Sequence, residues 1–451
     1  MKKIYLFCII CLTALSIQAQ TTQEPVRVWS LEKCINYAIE QNLSIKQLQL
    51  QKENASIQVQ TSQMSRLPDL NASVGQNWSF GRAQTASGLY ESQTLSNAGM
   101  NLSSSTPLFT GFRINNEIAK SKLDLEAAIQ QLERTKEDLA LNVASLYLQV
   151  LFNKEILKIS EEQLALSQMQ VQRTKTLVEV GKVPNSQLYD IEAQVAKDEV
   201  AVIQAKNSHE LSLLDLVQSL ELERASSFDI EVPVIDDVVK EYMSSVQPAD
   251  VIYNNAVAVK PAIREQELRL ESQQKSLKIA QAGYYPRLNL SMSYSNNYFY
   301  NYSLDNTRDN ISFSDQIKNN AGQAIGLSLS IPIFNRFQVR NQVRSARLGI
   351  QNQQFQLDNT KKTLYKEIQT AYLNATAAQE KYRASGRAVA ASSESFKYAQ
   401  ERYEIGKSSV FEFNEAKTKL VQSQSEQVQA KYDYIFRTKI LDFYNGVPIK
   451  L

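Results

Sequence analysis

The sequence predicts a mainly α-helical, internally duplicated chain in which four β-strands belong to a membrane β-barrel and long coiled-coil helices extend that barrel. Three observations lead to this prediction: a repeat, segments of strict apolar–polar alternation, and helices of unusual length. The repeat relates the segment around Pro107 to that around Pro332, an offset of 225 residues that also carries Gly181 onto Gly406. Two distant markers with one offset indicate a duplication, which fixes the architecture before any local prediction is made.

Residues 1–19 have the composition of a secretory signal peptide. Lys2 and Lys3 precede a short apolar run that ends in small residues at Ala19, and this run is too short to cross a membrane. Cys8 and Cys11 lie inside the run with almost no apolar stretch before them, so we do not expect a lipid anchor.

The remaining chain, residues 20–451, has a balanced charge. Without Lys2 and Lys3 it keeps 47 of the 49 basic residues beside 47 acidic ones, which gives no indication of nucleic-acid binding. Its one cysteine, Cys34, allows no intramolecular disulfide. Since it has no further run of about 18 apolar residues, it can span a membrane only as a closed β-barrel. With a cleaved signal, this predicts the outer membrane of a Gram-negative bacterium.

Two repeats and a linker are predicted in this mature chain. They are a first repeat at 20–230, a linker at 231–249 and a second repeat at 250–451. The first repeat is predicted to contain a helix at about 30–66, a strand pair at about 69–108, a long helix at 112–180 and a helix at 185–222. The second is predicted to contain a helix at about 253–283, a strand pair at about 287–334, a long helix at 335–403 and a helix at 409–445. The first helix is placed by Ser30 as its N-cap and by Pro68 beyond its end.

The strand pairs are predicted from period-two alternation. In the second repeat, 288–294 and 325–333 place apolar residues on one face and small polar residues on the other. The first repeat shows this pattern at 70–80 and more weakly at 98–108, with a loop predicted at about 81–97. An apolar face opposite a small polar face suits a barrel wall between lipid and water. The alternative is the hairpin of a soluble β-sandwich.

The long helices are predicted from long runs without proline, and in the second run Gly349 and Gly386 are expected to mark bends. The first, at 112–180, contains no glycine or proline and would extend about 100 Å at 1.5 Å per residue. Apolar residues recur in it every seven positions, as at Ile118, Leu125 and Leu132, which predicts lengthwise coiled-coil packing. Further along, the same register reaches Ser167, where looser and partly wet packing is expected.

Four strands cannot close a membrane barrel, so the chain is expected to oligomerise. The smallest membrane barrels have about eight strands and are filled with side chains. Two copies would give a plugged barrel and three copies a barrel with room for a lumen. The strand count alone leaves the copy number open.

No catalytic constellation is found, so the chain is not expected to be an enzyme or to hold a cofactor. The single histidine, His209, lies on a predicted helix and is expected to be a surface or packing residue. With one histidine and one mature cysteine, no cluster of soft metal ligands can form.

Several short segments occur in an order and spacing that match a known family. They are Leu31–Asn42, Lys260–Ile263, Tyr285–Leu290, the paired turns at Pro107–Phe109 and Pro332–Phe334, and Arg402–Gly406. Over essentially all of the mature sequence, the chain resembles the TolC-like outer-membrane efflux proteins. The resemblance implies a homotrimer with a twelve-stranded barrel in the outer-membrane lipid and a long α-helical periplasmic barrel. It also implies the exit duct of a tripartite pump, whose partners are a periplasmic adaptor and a proton-driven or ATP-driven inner-membrane transporter.

The resemblance assigns adaptor contact to the tips of the two helical hairpins. The matching positions are Val180, Gly181, Lys182, Ile405, Gly406 and Lys407. For the glycines, turn chemistry alone is the alternative, because a left-handed helix cap favours glycine.

The resemblance also assigns a periplasmic gate of carboxylate rings just after the second tip. The matching positions are Glu412 and Glu415, which are three apart and so share a helix face. In a trimer, each would form a ring of like charge that favours cations. Gln187 and Asp190 align with them in the first repeat, and Tyr403 matches a tyrosine that holds the aperture shut. The alternative is that these acids only solvate a helix face.

A second function fits the same composition: a secreted coiled-coil scaffold whose strand pairs mediate assembly, without a pore. The alternation that suits a lipid-facing wall argues against it.

Overall fold

The computed structural model describes residues 27–84, 88–222, 228–233, 247–303, 310–447 and 449. The predicted signal peptide and most of the predicted linker lie outside these residues. The helices are α1 (Leu31–Gln41), α2 (Leu43–Met64), α3 (Arg113–Glu179), α4 (Asn185–Ser219), α5 (Ala249–Val259), α6 (Pro261–Gln281), α7 (Phe313–Asn319), α8 (Gln338–Glu404) and α9 (Val410–Tyr444). The strands are β1 (Arg27–Trp29), β2 (Asn71–Gln84), β3 (Tyr90–Phe109), β4 (Phe228–Ile230), β5 (Arg287–Asn301) and β6 (Gly322–Ser330).

The duplication is visible in the helices themselves. Helices α3 and α8 each contain 67 residues, and α4 and α9 each contain 35. Both pairs start at the same offset that relates the proline segments, since Arg113 corresponds to Gln338 and Asn185 to Val410. None of the helices in the described ranges is both long and apolar enough to cross a membrane.

Two of the predicted helices are each divided in two. The helix expected at about 30–66 is broken at Asn42, whose side-chain oxygen accepts hydrogen bonds from the backbone N–H groups of Ser44 and Ile45. The helix expected at about 253–283 is broken before Pro261, because proline lacks an N–H and disfavours a helical conformation at the preceding residue. Lys260 accordingly has an extended conformation.

Strands β2, β3, β5 and β6 form one antiparallel sheet in that order, so the pairing of β3 with β5 joins the two repeats. The loop expected at about 81–97 is wrong for most of its length. Pairing continues through Arg82 and Ser92 to Gln84 and Tyr90, because backbone hydrogen bonds extend the hairpin where side-chain alternation gives no signal.

The register of the sheet places apolar residues side by side. Leu288 pairs with Leu329 and Leu290 with Leu327. Residues paired across an antiparallel ladder share a face, so the alternation read in each strand combines into one apolar surface. On the same pattern Ile325 is 76% exposed.

A short parallel pair, β1 with β4, was not predicted; the sequence was expected to have no β segment outside the hairpins. Each strand has only three residues, too few for a period to be recognised. The buried Tyr147 holds the pair together: its hydroxyl donates to the carbonyl of Glu231 at 2.7 Å and lies 3.2 Å from that of Trp29.

The chain forms two compact units, each of which takes segments from both repeats. The first contains Met1–Ile45, Lys136–Asn255 and Glu367–Leu451; the second contains Lys46–Thr135 and Ala256–Lys366. The core of the first unit is built from helices α1, α3, α4, α8 and α9 around the β1–β4 pair, with Leu151, Leu216 and Ile435 almost fully buried. The second unit contains the four-stranded sheet and the helical segments that adjoin it in the sequence.

Candidate functional site

Both hairpin tips end a long helix with the same glycine cap. Gly181 and Gly406 have φ angles of 71° and 72°, in the left-handed region that favours glycine. At the first tip, Lys182 N–H donates to the carbonyl of Leu177 at 2.9 Å, and Gly181 N–H donates to that of Val178. The second tip repeats this pattern from Lys407 and Gly406. The pattern is a Schellman motif, which satisfies the last carbonyls of a helix.

The side chains at the tips are apolar and exposed. Val180 and Ile405, which precede the glycines, are 61% and 66% exposed. Phe411, in the first turn of α9, is 76% exposed. Exposed large apolar groups beside a polar turn are typical of a surface that binds another protein.

An ion pair ties the two long helices together close to the tips. Arg173 near the end of α3 lies 3.4 Å from the Glu404 carboxylate at the end of α8. Both side chains are partly exposed, so the pair contributes little to stability, but the contact shows that the ends of α3 and α8 lie beside each other.

Glu412 is engaged within its own chain. Ser409 is the N-cap of α9, and its hydroxyl oxygen accepts a hydrogen bond from Glu412 N–H at 3.2 Å. The Glu412 carboxylate accepts a hydrogen bond from Ser408 Oγ at 2.6 Å and lies 3.6 Å from the Arg402 guanidinium. Arg402 in turn donates to the carbonyl of Lys407. Glu412 thereby joins the start of α9 to the second tip.

Glu415 and Asp190 line one groove between α4 and α9, although they come from different repeats. Both are exposed, and neither forms an ion pair within the described residues. Lys197 and Lys419 line the same groove. Gln187 lies in the first turn of α4 and is half-buried.

Tyr403 contacts an aromatic residue and not the candidate gate carboxylates. Its ring stacks on that of Phe413, with centroids 5.0 Å apart and planes at 28°. Phe413 is buried and also contacts Phe396. Within one chain, Tyr403 therefore fastens the end of α8 to the start of α9.

A buried ion pair near these residues was missed by the sequence reasoning. Lys417 on α9 lies 3.1 Å from the Asp198 carboxylate on α4, and their side chains are 3% and 10% exposed. Ser167 on α3 donates to the Asp198 carboxylate and contacts Lys417 Nζ. Gln194 donates to the other Asp198 oxygen at 2.8 Å. We call Ser167, Asp198 and Lys417 the buried triad; it joins three helices a few turns from the tips.

The equivalent place in the other repeat is neutral. The offset of 225 carries Ser167 onto Ser392 and Asp198 onto Ser423, and these two hydroxyls lie 3.0 Å apart in a buried contact. The offset carries Glu192 onto Lys417. Burial lowers the pKa of Lys417 from its usual value, and Asp198 opposes this shift. The charge pair therefore joins Asp198 of the first repeat to Lys417 of the second, and the positions equivalent to Ser167 and Asp198 hold two serines.

The described residues contain no group of three potential metal-ligating side chains. The site consists of two capped turns, exposed apolar residues and carboxylates at the start of helices. Such an arrangement can bind a partner and present charge.

The profile of the family described as "Outer membrane efflux protein" matches residues 34–220 and 252–442, well over half of the chain. The chain belongs to this family. It is 22% identical over 418 residues to the outer membrane protein TolC of Vibrio cholerae. The aligned region covers 90% of this chain and 89% of that protein.

Two solved structures show the same fold. CusC has a TM-score of 0.79 at 17% identity and covers 95% of this chain and 96% of its own. The outer membrane protein VceC of Vibrio cholerae has a TM-score of 0.75 at 16% identity and covers 92% and 96%. These likenesses confirm the predicted fold class, that of the trimeric outer-membrane channels with a long helical part.

Membership of the outer membrane efflux family also establishes the class of protein and its location. The family consists of passive outer-membrane channels and not enzymes. The protein is an outer-membrane protein of a Gram-negative bacterium, with its helical part in the periplasm.

Proposed function

We propose that this outer membrane efflux protein is the exit duct of a tripartite efflux or secretion system. Three copies form a passive channel that is closed at its periplasmic end, and an adaptor and an inner-membrane transporter open it. The observation that carries this proposal is the clustering of both capped tips with Glu412, Glu415 and Asp190 at the starts of α4 and α9. A turn followed at once by carboxylates supports a docking surface next to a charged constriction.

Glu415 and Glu412 have different roles in this proposal. Glu415 is exposed and has no ion pair in the described part of the chain, so in a trimer its charge is available to form a ring. Asp190 lines the same groove and adds a second carboxylate from each subunit. Glu412 instead pairs with Arg402, and its backbone N–H donates to the Ser409 cap of α9, so it sets the position of the ring.

The adaptor is proposed to contact the tips through their exposed apolar residues. Val180 and Ile405 offer equivalent contacts in the two repeats, while Lys182 and Lys407 flank them with positive charge. Six tips in a trimer would present this pattern as a ring. The Arg173–Glu404 contact, which brings the ends of α3 and α8 together, supports such a ring.

Single-channel recording in a planar bilayer tests the gate. We expect the purified wild-type protein to form small, mostly closed pores, and the double variant Glu412→Ala/Glu415→Ala to raise conductance. Of the single variants, Glu415→Ala should give most of the increase. The matched control is Glu199→Ala/Glu394→Ala, which removes two exposed carboxylates that lie farther from the tips. A gate double variant with the conductance of the wild type would contradict the gate assignment.

In-cell crosslinking followed by pull-down tests the partners. Recovery of an adaptor with a proton-driven transporter would indicate small-molecule efflux, and recovery with an ATP-driven transporter would favour peptide or protein export. The variant Val180→Ser/Ile405→Ser should lose the adaptor while keeping the trimer. Recovery of the trimer alone from wild-type cells would contradict the tripartite assignment.

A further inference from the structure

In one part of the second repeat, every charged residue is basic. The end of α6, the start of β5 and the first turns of α8, at 272–284, 287 and 336–356, contain no acidic residue. Their seven basic residues are Lys275, Lys278, Arg287, Arg336, Arg340, Arg344 and Arg347. No carboxylate forms an ion pair with any of the seven within the described residues.

The first repeat does not share this charge. The corresponding segments are 54–66 and 69, aligned by matching Pro68 to Pro286, and 111–131, at the offset of 225; they contain four basic and four acidic residues, so their net charge is zero. Two of those acids are paired with bases on their own helix: Arg113 lies 2.9 Å from Glu117, and Lys120 lies 2.6 Å from Asp124. The excess of positive charge is therefore specific to the second repeat and is not a general property of the fold.

Four of the arginines form a continuous line at the start of α8. We call Arg336, Arg340, Arg344 and Arg347 the arginine stripe. Arg340, Arg344 and Arg347 follow one another at intervals of four and three, so they share one face of α8, and Arg336 lies just before the helix begins. All four are exposed.

The adjoining side of α8 packs inside the second unit. It is occupied by buried Val339 and Val343, and a Cβ added at Gly283 would lie 2.8 Å from Val339, so the short turn after α6, Ala282–Tyr284, is in close contact with α8. Arg340 lies over the Phe337 ring at 5.7 Å, which supports part of the stripe without neutralising it.

The stripe begins where the apolar surface of the sheet ends. β6 finishes at Ser330, and the next apolar residues, Ile331 and Ile333, are 58% and 94% exposed. Arg336 follows three residues later, and Arg287 pairs with Ser330 at this same end of the sheet. In an outer-membrane protein whose long helices are periplasmic, this is the periplasmic edge of the lipid-facing band.

We propose that the arginine stripe binds the phosphate groups of anionic glycerophospholipids in the periplasmic leaflet. Guanidinium groups bind phosphate oxygens in a bidentate manner. Arg287, which is outside the stripe, lies at the same edge of the sheet and can add a further ligand. A cluster of basic residues directly beside an apolar membrane surface attracts anionic headgroups, with an affinity gain of about fivefold for each residue near the surface. The inference concerns lipid and does not depend on the gate or on the adaptor.

Native mass spectrometry of the purified trimer, titrated with phosphatidylglycerol in a neutral detergent, tests this proposal. The test variant replaces each residue of the arginine stripe by Gln. The control variant makes the same change of charge farther along the same helix, at four exposed positions without a described ion pair: Lys362, Lys366, Arg387 and Lys397. Phosphatidylcholine and inorganic phosphate serve as the comparison ligands.

We expect the wild type and the control variant to bind phosphatidylglycerol at least about tenfold more tightly than phosphatidylcholine, and the stripe variant to lose that preference. Equal binding by the stripe and control variants would overturn the proposal. Displacement of the lipid by an equal concentration of inorganic phosphate would also overturn it, since the ligand would then be a free anion.

The same spectra show whether the stripe instead contacts a second copy of the chain. In that case the stripe variant would run as a monomer, which would overturn the lipid assignment. If the fourfold variant does not fold, the pairs Arg336→Gln/Arg340→Gln and Arg344→Gln/Arg347→Gln are each expected to lose part of the preference. Both pairs binding like the wild type would again contradict the proposal.

Discussion

Replacing Lys417 by Met breaks the buried triad while keeping the length of the side chain. The change leaves the Asp198 carboxylate buried with only the Ser167 hydroxyl and the Gln194 amide as donors. Breaking a buried ion pair by removing one partner costs about 3–5 kcal/mol, because the remaining charge has lost its counterion. The two remaining donors place the expected cost at the lower end, about 3 kcal/mol.

The other repeat shows which second change should restore stability. Ser392 and Ser423 occupy the equivalent place as a neutral, buried pair. The double variant Asp198→Ser/Lys417→Met removes both charges and leaves a serine pair beside an apolar side chain. Replacing a buried ion pair by uncharged groups is often neutral, so we expect the double variant to lie within about 1 kcal/mol of the wild type.

The measurement is the midpoint of thermal unfolding, followed by the helical circular dichroism signal at one fixed scan rate. At about 2–4 °C for each kcal/mol in a unit of this size, Lys417→Met should lower the midpoint by about 6–12 °C. The double variant should recover most of that loss. A fixed scan rate matters because an oligomeric membrane protein can unfold irreversibly.

A single variant that is as stable as the wild type would refute the reasoning, because Lys417 and Asp198 would then not stabilise each other. A double variant that is less stable than Lys417→Met would refute it in another way. It would show that each side chain acts through packing and not through the charge that the other leaves behind.

Two further predictions concern the tips and the single histidine. Gly406→Ala should destabilise the protein by about 1–2 kcal/mol, because alanine is strained at a φ of 72° although no atom lies within 4 Å of the added Cβ. The control, Gly386→Ala, lies in a helix interior where the added Cβ meets only Gln427 at 3.6 Å, so it should be neutral or stabilising. Equal changes in the thermal midpoint for the two variants would contradict the strain argument. Burial lowers the pKa of His209 from its usual value of 6.5, and nearby Lys154 lowers it further. Near and below pH 6.5 the unfolded chain therefore binds more protons than the folded chain, so the free energy of unfolding should fall as the pH drops from 7.5 to 5.5. His209→Gln should show a shallower fall in thermal midpoint over the same range, and identical slopes would contradict the assignment.

The long helices and the tips could be predicted from sequence because their signals extend over many residues or depend on single special residues. A heptad pattern sustained over α3 predicts the helix, and Gly181 and Gly406 mark the C-terminal ends of α3 and α8 because few other residues adopt their backbone conformation. The strand pairs were predictable where one face is apolar and the other small and polar. The hairpin end around Arg82 and Ser92 was not, because the side chains there do not alternate.

The buried triad could not be predicted, because its members lie far apart in the chain. Ser167 and Lys417 are separated by 250 positions, and nothing in either local sequence indicates the other. The heptad register did single out Ser167 as a polar interruption, but looser and partly wet packing was the expected consequence. The structure instead buries Ser167 against Asp198 and Lys417. A polar residue in an apolar seam therefore indicates a buried partner as readily as a water-filled gap.

The candidate gate was placed by resemblance, and the structure adds the local chemistry around it. The sequence gives no indication that Glu412 is held by Ser408 and Arg402 while Glu415 has no such partner. This difference arises from the cap of α9 and from the end of α8, two segments whose contact depends on the turn between them. Because of this difference, we expect alanine substitutions of Glu412 and Glu415 to change the channel conductance by different amounts.

Ionic current through the purified wild-type protein in a planar bilayer decides whether the chain is a duct at all. We predict discrete steps of small amplitude, separated by long closed periods, at protein concentrations where the trimer is intact. A trimer that inserts into the bilayer and gives no current steps, even for the Glu412→Ala/Glu415→Ala variant, would contradict the proposed channel and favour a structural role.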